Sequence, residues 1–313
     1  MDELLTPDPR ATGDQIVPDQ KAPETYPRQG RPHPEPLAVW WPRLAWAALG
    51  KELRVSLLRY PGELVGLLLW PALFPLGYVF AARAAAGPQG EALGFFAARA
   101  GTGNVVAYVL LGATIWFLVN ILLWDFGNRI RYQQVQGMLE VNWSTPVPTV
   151  LLVLTEGLPA LLFLGGVLGI SLLEYRFVYG MQISGSLGWM LATLAASLPY
   201  LYGLGLVFAA ATAWVKEVAA LVYVVRGLVM IFSGVTFPLE VLPGWMQQVA
   251  ALLPPTYTIR AVRTAALTPG GWAAVADDVR ALLVFGLVFL PLGLVALHAV
   301  ERWVRRTGTL TSY

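Results

Sequence analysis

Six stretches of about twenty mostly apolar residues organise this chain, at about 64–82, 105–124, 149–173, 187–213, 218–236 and 281–299. Each is long enough to cross the ~30 Å hydrocarbon core of a bilayer as a helix. Backbone in lipid must satisfy its own hydrogen bonds, and an unbroken apolar run of this length does so only as an α-helix. The expected fold is therefore all-α: a polytopic membrane protein with six transmembrane helices. Pro71 and Pro75 lie inside the first stretch and predict a kink there. A seventh span is not available, because Pro238, Pro243, Pro254, Pro255 and Pro269 cut residues 237–279 into short runs. The chain is 57% hydrophobic and 13% charged, against about a quarter charged for a soluble domain. A net charge of +2 over 313 residues gives no footprint for nucleic acid.

Residues 1–36 read differently. They hold eight prolines, seven acids and four bases, with no apolar run that would serve as a signal peptide. Such a stretch buries too little to offset the entropy of ordering, so it is expected to be a disordered proline-rich tail. Residues 37–313 then form the six-span transmembrane domain. Lys and Arg near the span ends set orientation. With the N-terminus inside, ten basic residues flank the inner ends (Arg43, Lys51, Arg54, Arg59, Arg129, Arg131, Lys216, Arg302, Arg305, Arg306) and six the outer ends (Arg83, Arg99, Arg176, Arg260, Arg263, Arg280). Both termini are thus expected in the cytoplasm of a bacterial cell, with the protein in its inner membrane. Ahead of the first span, Trp46, Leu49, Leu53 and Leu57 share one helical stripe, and Arg43, Lys51, Arg54 and Arg59 lie off it. An amphipathic helix with basic residues on its wet side suits the headgroup plane. A plain extension of the first span is the alternative.

Enzyme chemistry is poorly provided for. The single Gly-Lys pair, Gly50-Lys51, is followed by Glu52 and has Ala45 where a nucleotide-binding loop needs its first glycine. Such a chain is not expected to hydrolyse ATP by itself. Cysteine is absent, which removes thiolate sites. The two histidines, His33 in the tail and His298 at the end of the last span, are far apart in the sequence and make no metal pair. No catalytic residue, metal or cofactor is assigned to this chain.

What remains reads as mechanical. Between the second and third spans, Gly137-Met138-Leu139-Glu140 leads to Thr145, Pro146 and Pro148. A short amphipathic helix fixed between two spans would suit a groove on a soluble partner, although composition alone favours an ordinary loop. On the other side, Gly234, Pro238, Pro243, Pro254 and Pro255 divide residues 232–267 into short pieces. Leu242–Leu253 and Tyr257–Leu267 read as two short helices in or on the outer leaflet, a re-entrant hairpin between spans five and six. Non-helical backbone at that depth requires a shielded vestibule. Glu156 and Arg226 are charges inside spans, which are costly there and so candidates for function. Gly62-x-x-x-Gly66 and Gly165-x-x-x-Gly169 have the spacing that lets helices approach closely. Trp116, Trp124, Tyr200, Tyr202 and Tyr223 are candidates for lining a path, or for membrane belts and packing.

These segments resemble the membrane subunit of type-2 ABC exporters, the six-span permeases of drug, polysaccharide and lipid export. "QGMLEVNWSTPVP" is similar to that family's GTLE-x-L-x-x-TP segment, with Met138 in place of the usual Thr. "FSGVTFPLEVLPGWMQQVAALLPPTYTIRAVR" resembles its SG-x-x-FP-x-x-x-LP-x-W signature. The ending "RRTGTL" with a final Tyr is similar to a tail in part of the family. The resemblance implies two permease copies, identical or not, with two separate ATP-binding-cassette ATPase subunits that bind ATP and magnesium. It implies that Gly137, Leu139, Glu140, Thr145 and Pro146 dock on the ATPase. It implies that the helix at 40–59 also touches it, and that Gly234, Pro238, Pro243, Trp245, Pro254 and Tyr257 shape an outer gate. Substrates would be hydrophobic drugs, lipids or glycans. An ion-coupled secondary transporter using Glu156 is the alternative function.

Overall fold

The computed structural model describes residues 37–54, 62, 65–66, 69, 73–85, 91–137, 149–214 and 218–307, and all regular elements among them are helical. In chain order they are α1 (Leu37–Arg54), α2 (Leu76–Ala85), α3 (Glu91–Ala100), α4 (Val105–Val135), α5 (Thr149–Phe177), α6 (Leu187–Trp214) and α7 (Val218–Phe232). A 3-10 turn (Leu239–Val241) then precedes α8 (Gly244–Ala251), α9 (Pro254–Leu267) and α10 (Gly271–Thr307). Among the described residues, three helical stretches are long and apolar enough to cross a membrane: Val105–Trp124, Leu187–Ala211 and Gly271–Trp303. Val222–Phe232 is a shorter apolar helix, and α5 runs for 29 residues. The tail 1–36, most of the first expected span and the segment 138–148 lie outside the described residues.

Local chemistry accounts for several boundaries. Asn104 opens α4, its side-chain carbonyl accepting from the backbone N–H of Ala107 at 3.0 Å, the usual role of an N-cap. Gly137 follows the end of α4 with φ +66°, the left-handed conformation that lets a glycine terminate a helix. The chain also turns at Phe74 and Pro75 just before α2, where the second proline of the first span predicts a break. Two elements extend beyond or differ from the apolar runs. The last helix begins at Gly271, ten residues before the apolar stretch at about 281–299 that it contains, and so takes in Asp277, Asp278 and Arg280. The short helices are Gly244–Ala251 and Pro254–Leu267, because Pro243 supplies the carbonyl that starts the first and Pro254 opens the second. A proline at the first helical position loses no hydrogen bond.

The core centres on α4, whose neighbours are α2, α3, α5, α6, α7 and α9. Its membrane-length window is 72% buried within the chain, against 17% for that of α10. α4 is thus a central post, and α10 presents most of its surface outward. Leu110, Leu111, Ile115 and Leu123 of α4 pack into the main cluster with Met190 of α6, Val222 of α7 and Ile259 of α9.

α6 and α10 meet without side chains at their closest points. A Cβ at Gly203 would collide with the Phe289 backbone, and one at Gly293 would come within 2.8 Å of the Leu206 Cβ. One at Gly286 would lie 2.8 Å from the Pro199 Cβ. By contrast, a Cβ at Gly62, Gly66, Gly165 or Gly169 would meet nothing within 4 Å. Among the described residues, the close approach of α6 to α10 is therefore made at Gly203, Gly286 and Gly293, and neither four-residue glycine pair takes part in it. Spacing alone does not say which glycines face a neighbour.

Candidate functional site

Polar contacts gather the start of α4, the end of α5, the start of α6, the end of α7, and α8, α9 and the start of α10 at one end of the bundle. The Thr114 and Tyr175 hydroxyls, 2.6 Å apart, join α4 to α5. The loop after α5 binds the end of α9, with Gly185 N–H donating to the Ala266 carbonyl at 2.9 Å and Ser186 N–H to that of Ala265 at 2.7 Å. The Thr258 hydroxyl of α9 contacts the Tyr200 and Ser197 hydroxyls of α6, at 2.9 and 3.0 Å. Trp189 and Trp272, at the starts of α6 and α10, stand with ring centroids 5.1 Å apart.

The centre of this end is Arg263 on α9. Its side chain is 6% exposed. Nε donates to the Tyr108 carbonyl at 2.9 Å and Nη1 to the Gly234 carbonyl at 2.7 Å, while Nη2 donates to the Val235 carbonyl. The guanidinium also lies 3.6 Å from the centroid of the Tyr108 ring. One fork thereby holds three elements: α4, the turn after α7, and α9. An arginine stays charged in such a place, and carbonyl dipoles with an aromatic face provide what a carboxylate would. The space for it comes from Gly112, where a Cβ would overlap Nη2 and the Val235 carbonyl.

The sequence reading counted Arg260 and Arg263 as flank charges at the outer surface. Arg263 is instead buried, and Arg260 binds the buried Asp278 through Nε, at 3.0 Å to Oδ1, and through Nη2. What hid these roles was distance along the chain. The available signal was two arginines three positions apart, followed by an Asp pair too close to a span to be casual.

All six expected gate residues fall in this region. Gly234 has φ +63°, and a Cβ there would press to 3.0 Å on the Leu239 side chain. The turn therefore requires glycine, and its carbonyl is one of those Arg263 holds. Pro238 is buried and precedes the 3-10 turn. The Pro243 carbonyl accepts from Met246 N–H at 2.9 Å and Gln247 N–H at 3.1 Å at the start of α8. Trp245 is 62% exposed, with its ring edge-on to Phe232. Pro254 is buried at the start of α9. Tyr257 donates its hydroxyl to the Ala251 carbonyl at 2.9 Å, closing the corner between α8 and α9. Several of these residues fix a turn or helix end of the segment: Gly234 the turn after α7, Pro243 the start of α8, and Pro254 and Tyr257 the corner into α9.

The other expected residues are placed less completely. Gly137 ends α4 as described, whereas Leu139, Glu140, Thr145 and Pro146 lie outside the described residues. Glu156 is on α5, and its side chain is outside them too. Arg226 of α7 is half-buried, 5.9 Å from the Trp116 ring centroid and 5.7 Å from that of Tyr223. No group of three or more His, Cys, Asp or Glu is placed to hold a metal ion among the described residues.

Between this braced segment, the end of α3 and the start of α4 lies a cavity of about 220 Å³. Comparison with known proteins adds one match. Residues 56–267 fit the family model described as ABC-2 type transporter. No curated protein matches the chain.

Proposed function

The chain belongs to the ABC-2 type transporter family, and from that premise we propose that it is the permease of an ATP-driven exporter, moved by a separate ATPase subunit. It is a membrane transport component. The observation that carries the mechanical reading is the triple hold of Arg263, which makes residues 233–267 move with the start of α4. α4 ends at Val135, just before the expected docking residues Gly137, Leu139, Glu140, Thr145 and Pro146. A push on that segment from the cytosol would be carried by one 31-residue helix to the braced end. Energy enters as the ATPase's different affinity for two permease conformations, so no chemistry is required of this chain.

In this reading six spans cross the bacterial inner membrane with both termini inside, and residues 233–267 form the outer re-entrant gate. α1 lies at the inner interface beside α5, against which it packs; its exposed Trp46 suits lipid headgroups. Two permease copies, two ATPase subunits with bound ATP and magnesium, and surrounding lipid complete the unit. The cargo is a hydrophobic drug, a lipid or a glycan. Family membership favours this over ion-coupled transport through Glu156.

The test is purification of the full-length chain in mild detergent from its own cells, with subunits identified by mass. An ABC ATPase in stoichiometric amount is the expected result. Uphill transport by the purified chain alone, abolished by a protonophore and indifferent to ATP, would overturn the proposal.

A further inference from the structure

We propose that the groove along the last turns of α5 is a binding site for one anionic phospholipid, its tail beside the helix and its head at Arg176. Gly166, Gly169, Ile170 and Leu173 of α5 line it, with Ile183 before α6 and Leu187 at the start of that helix. They enclose about 940 Å³, within the ~300–1,000 Å³ of ordinary ligand pockets. A Cβ at Gly169 would meet nothing within 4 Å, so the glycine leaves room for a guest and serves no close helix approach among the described residues. The groove's polar side chains, Arg176 in the last turn of α5 and Gln182 in the loop beyond it, are both exposed. Neither side chain makes a hydrogen bond or ion pair with a described residue, so both are free to hold a head group.

Length and charge select the guest. Gly166 and Arg176 are ten positions apart on one helix, about 15 Å at 1.5 Å per residue. That is half of the ~30 Å hydrocarbon core, the depth of a single leaflet, and so suits a lipid chain whose head is at the arginine. Arg176 also lies three positions beyond the expected span at 149–173, which is head-group level for a helix that crosses. The proposal rests on α5 being such a span. An arginine fork holds a phosphate through two parallel hydrogen bonds, and the Gln182 amide adds a third donor. A free anion would find no partner in the apolar lining. A second copy of this chain fits worse, because a two-fold axis along the membrane normal sets the same patch against itself. That brings Arg176 to Arg176 at equal depth, and among the described residues no acid lines the groove to offset the repulsion.

The experiment uses the full-length chain, delipidated in neutral detergent, with no ATPase or nucleotide, so its outcome is separate from the export reading. Phosphatidylglycerol and phosphatidylcholine of equal chain length are offered in competition, and bound lipid is counted by native mass spectrometry. Retention of one phosphatidylglycerol per chain is expected, several-fold over phosphatidylcholine. Arg176→Gln should abolish that preference, and Gly169→Leu, which fills the groove, should lower retention of both lipids. Arg280→Gln, at an exposed arginine outside the groove, should change nothing. Tm checks the folding of each variant, and the exposed position of Arg176 keeps the test decisive if Gly169→Leu does not fold. The proposal is overturned by equal retention of the two lipids, by a preference undiminished in Arg176→Gln, or by an equal loss in Arg280→Gln. A dimer that Gly169→Leu splits, with lipid retention unchanged, would give the face to a second copy and overturn it as well.

Discussion

The guanidinium of Arg263 occupies the volume that a side chain at Gly112 would need. The two positions lie on different helices, α9 and α4, and neither works without the other's choice of residue. Gly112 gives up helix propensity, roughly 1 kcal/mol relative to alanine, in an otherwise apolar buried helix. In return a buried arginine reaches three backbone carbonyls. The predictions below start from this pair and move outward.

Gly112→Ala should push the guanidinium off the Gly234 and Val235 carbonyls. Overpacking of this kind costs about 1–3 kcal/mol, and unpaired carbonyls add to it. Thermal unfolding in detergent should show a clear fall in Tm, while Gly165→Ala, where a Cβ meets nothing within 4 Å, should show none. Equal Tm values for the two variants would refute the pairing.

Arg263→Lys keeps the charge and loses the planar fork. An ammonium cannot serve three carbonyls arranged around a guanidinium, so the hold on the turn after α7 should weaken. Amide hydrogen exchange across residues 233–242 should quicken, and substrate transport should fall. Unchanged exchange there would mean the turn is held by something else.

Tyr257→Phe removes only the hydroxyl that donates to the Ala251 carbonyl. The net loss is expected to be about 1 kcal/mol, confined to the corner between α8 and α9. Local exchange at Leu252 and Leu253 should rise with little change in Tm.

Gly203→Leu or Gly293→Val should separate α6 from α10, since each new side chain enters the other helix's atoms. Loss of folded protein in size-exclusion chromatography is the expected outcome. Gly169→Val, facing no atom within 4 Å, is the comparison and should fold.

Glu140→Arg tests the docking segment. It should uncouple ATP hydrolysis from transport while the membrane fold, read by Tm, stays intact. Transport and substrate-stimulated ATPase activity both surviving the change would remove Glu140 from the contact.

Much of the gate segment was legible because its chemistry is local. A positive-φ glycine at 234 and prolines at 238, 243 and 254 break and restart helices wherever they occur. The two short helices follow from that, to within three residues. The extension of α10 ahead of the apolar stretch at 281–299 was not legible, because Asp277, Asp278 and Arg280 interrupt the apolar pattern there. All three charges are answered by partners: Asp278 by Arg260, eighteen positions away, and Asp277 and Arg280 by each other in the same helix. The glycine pairs show a related limit of sequence: four-residue spacing places two glycines on one face and does not say what that face meets.

The sequence by itself determined that this chain is helical and lives in a membrane, because apolar run length and turn residues act over a few positions, and its match to a family model placed it among the ABC-2 type transporters. Only the tertiary structure decided that Arg263 is a buried brace and not a surface charge. Its partners Gly234 and Tyr108 stand 29 and 155 residues away, and whether a charge is solvated or held depends on what the fold brings beside it.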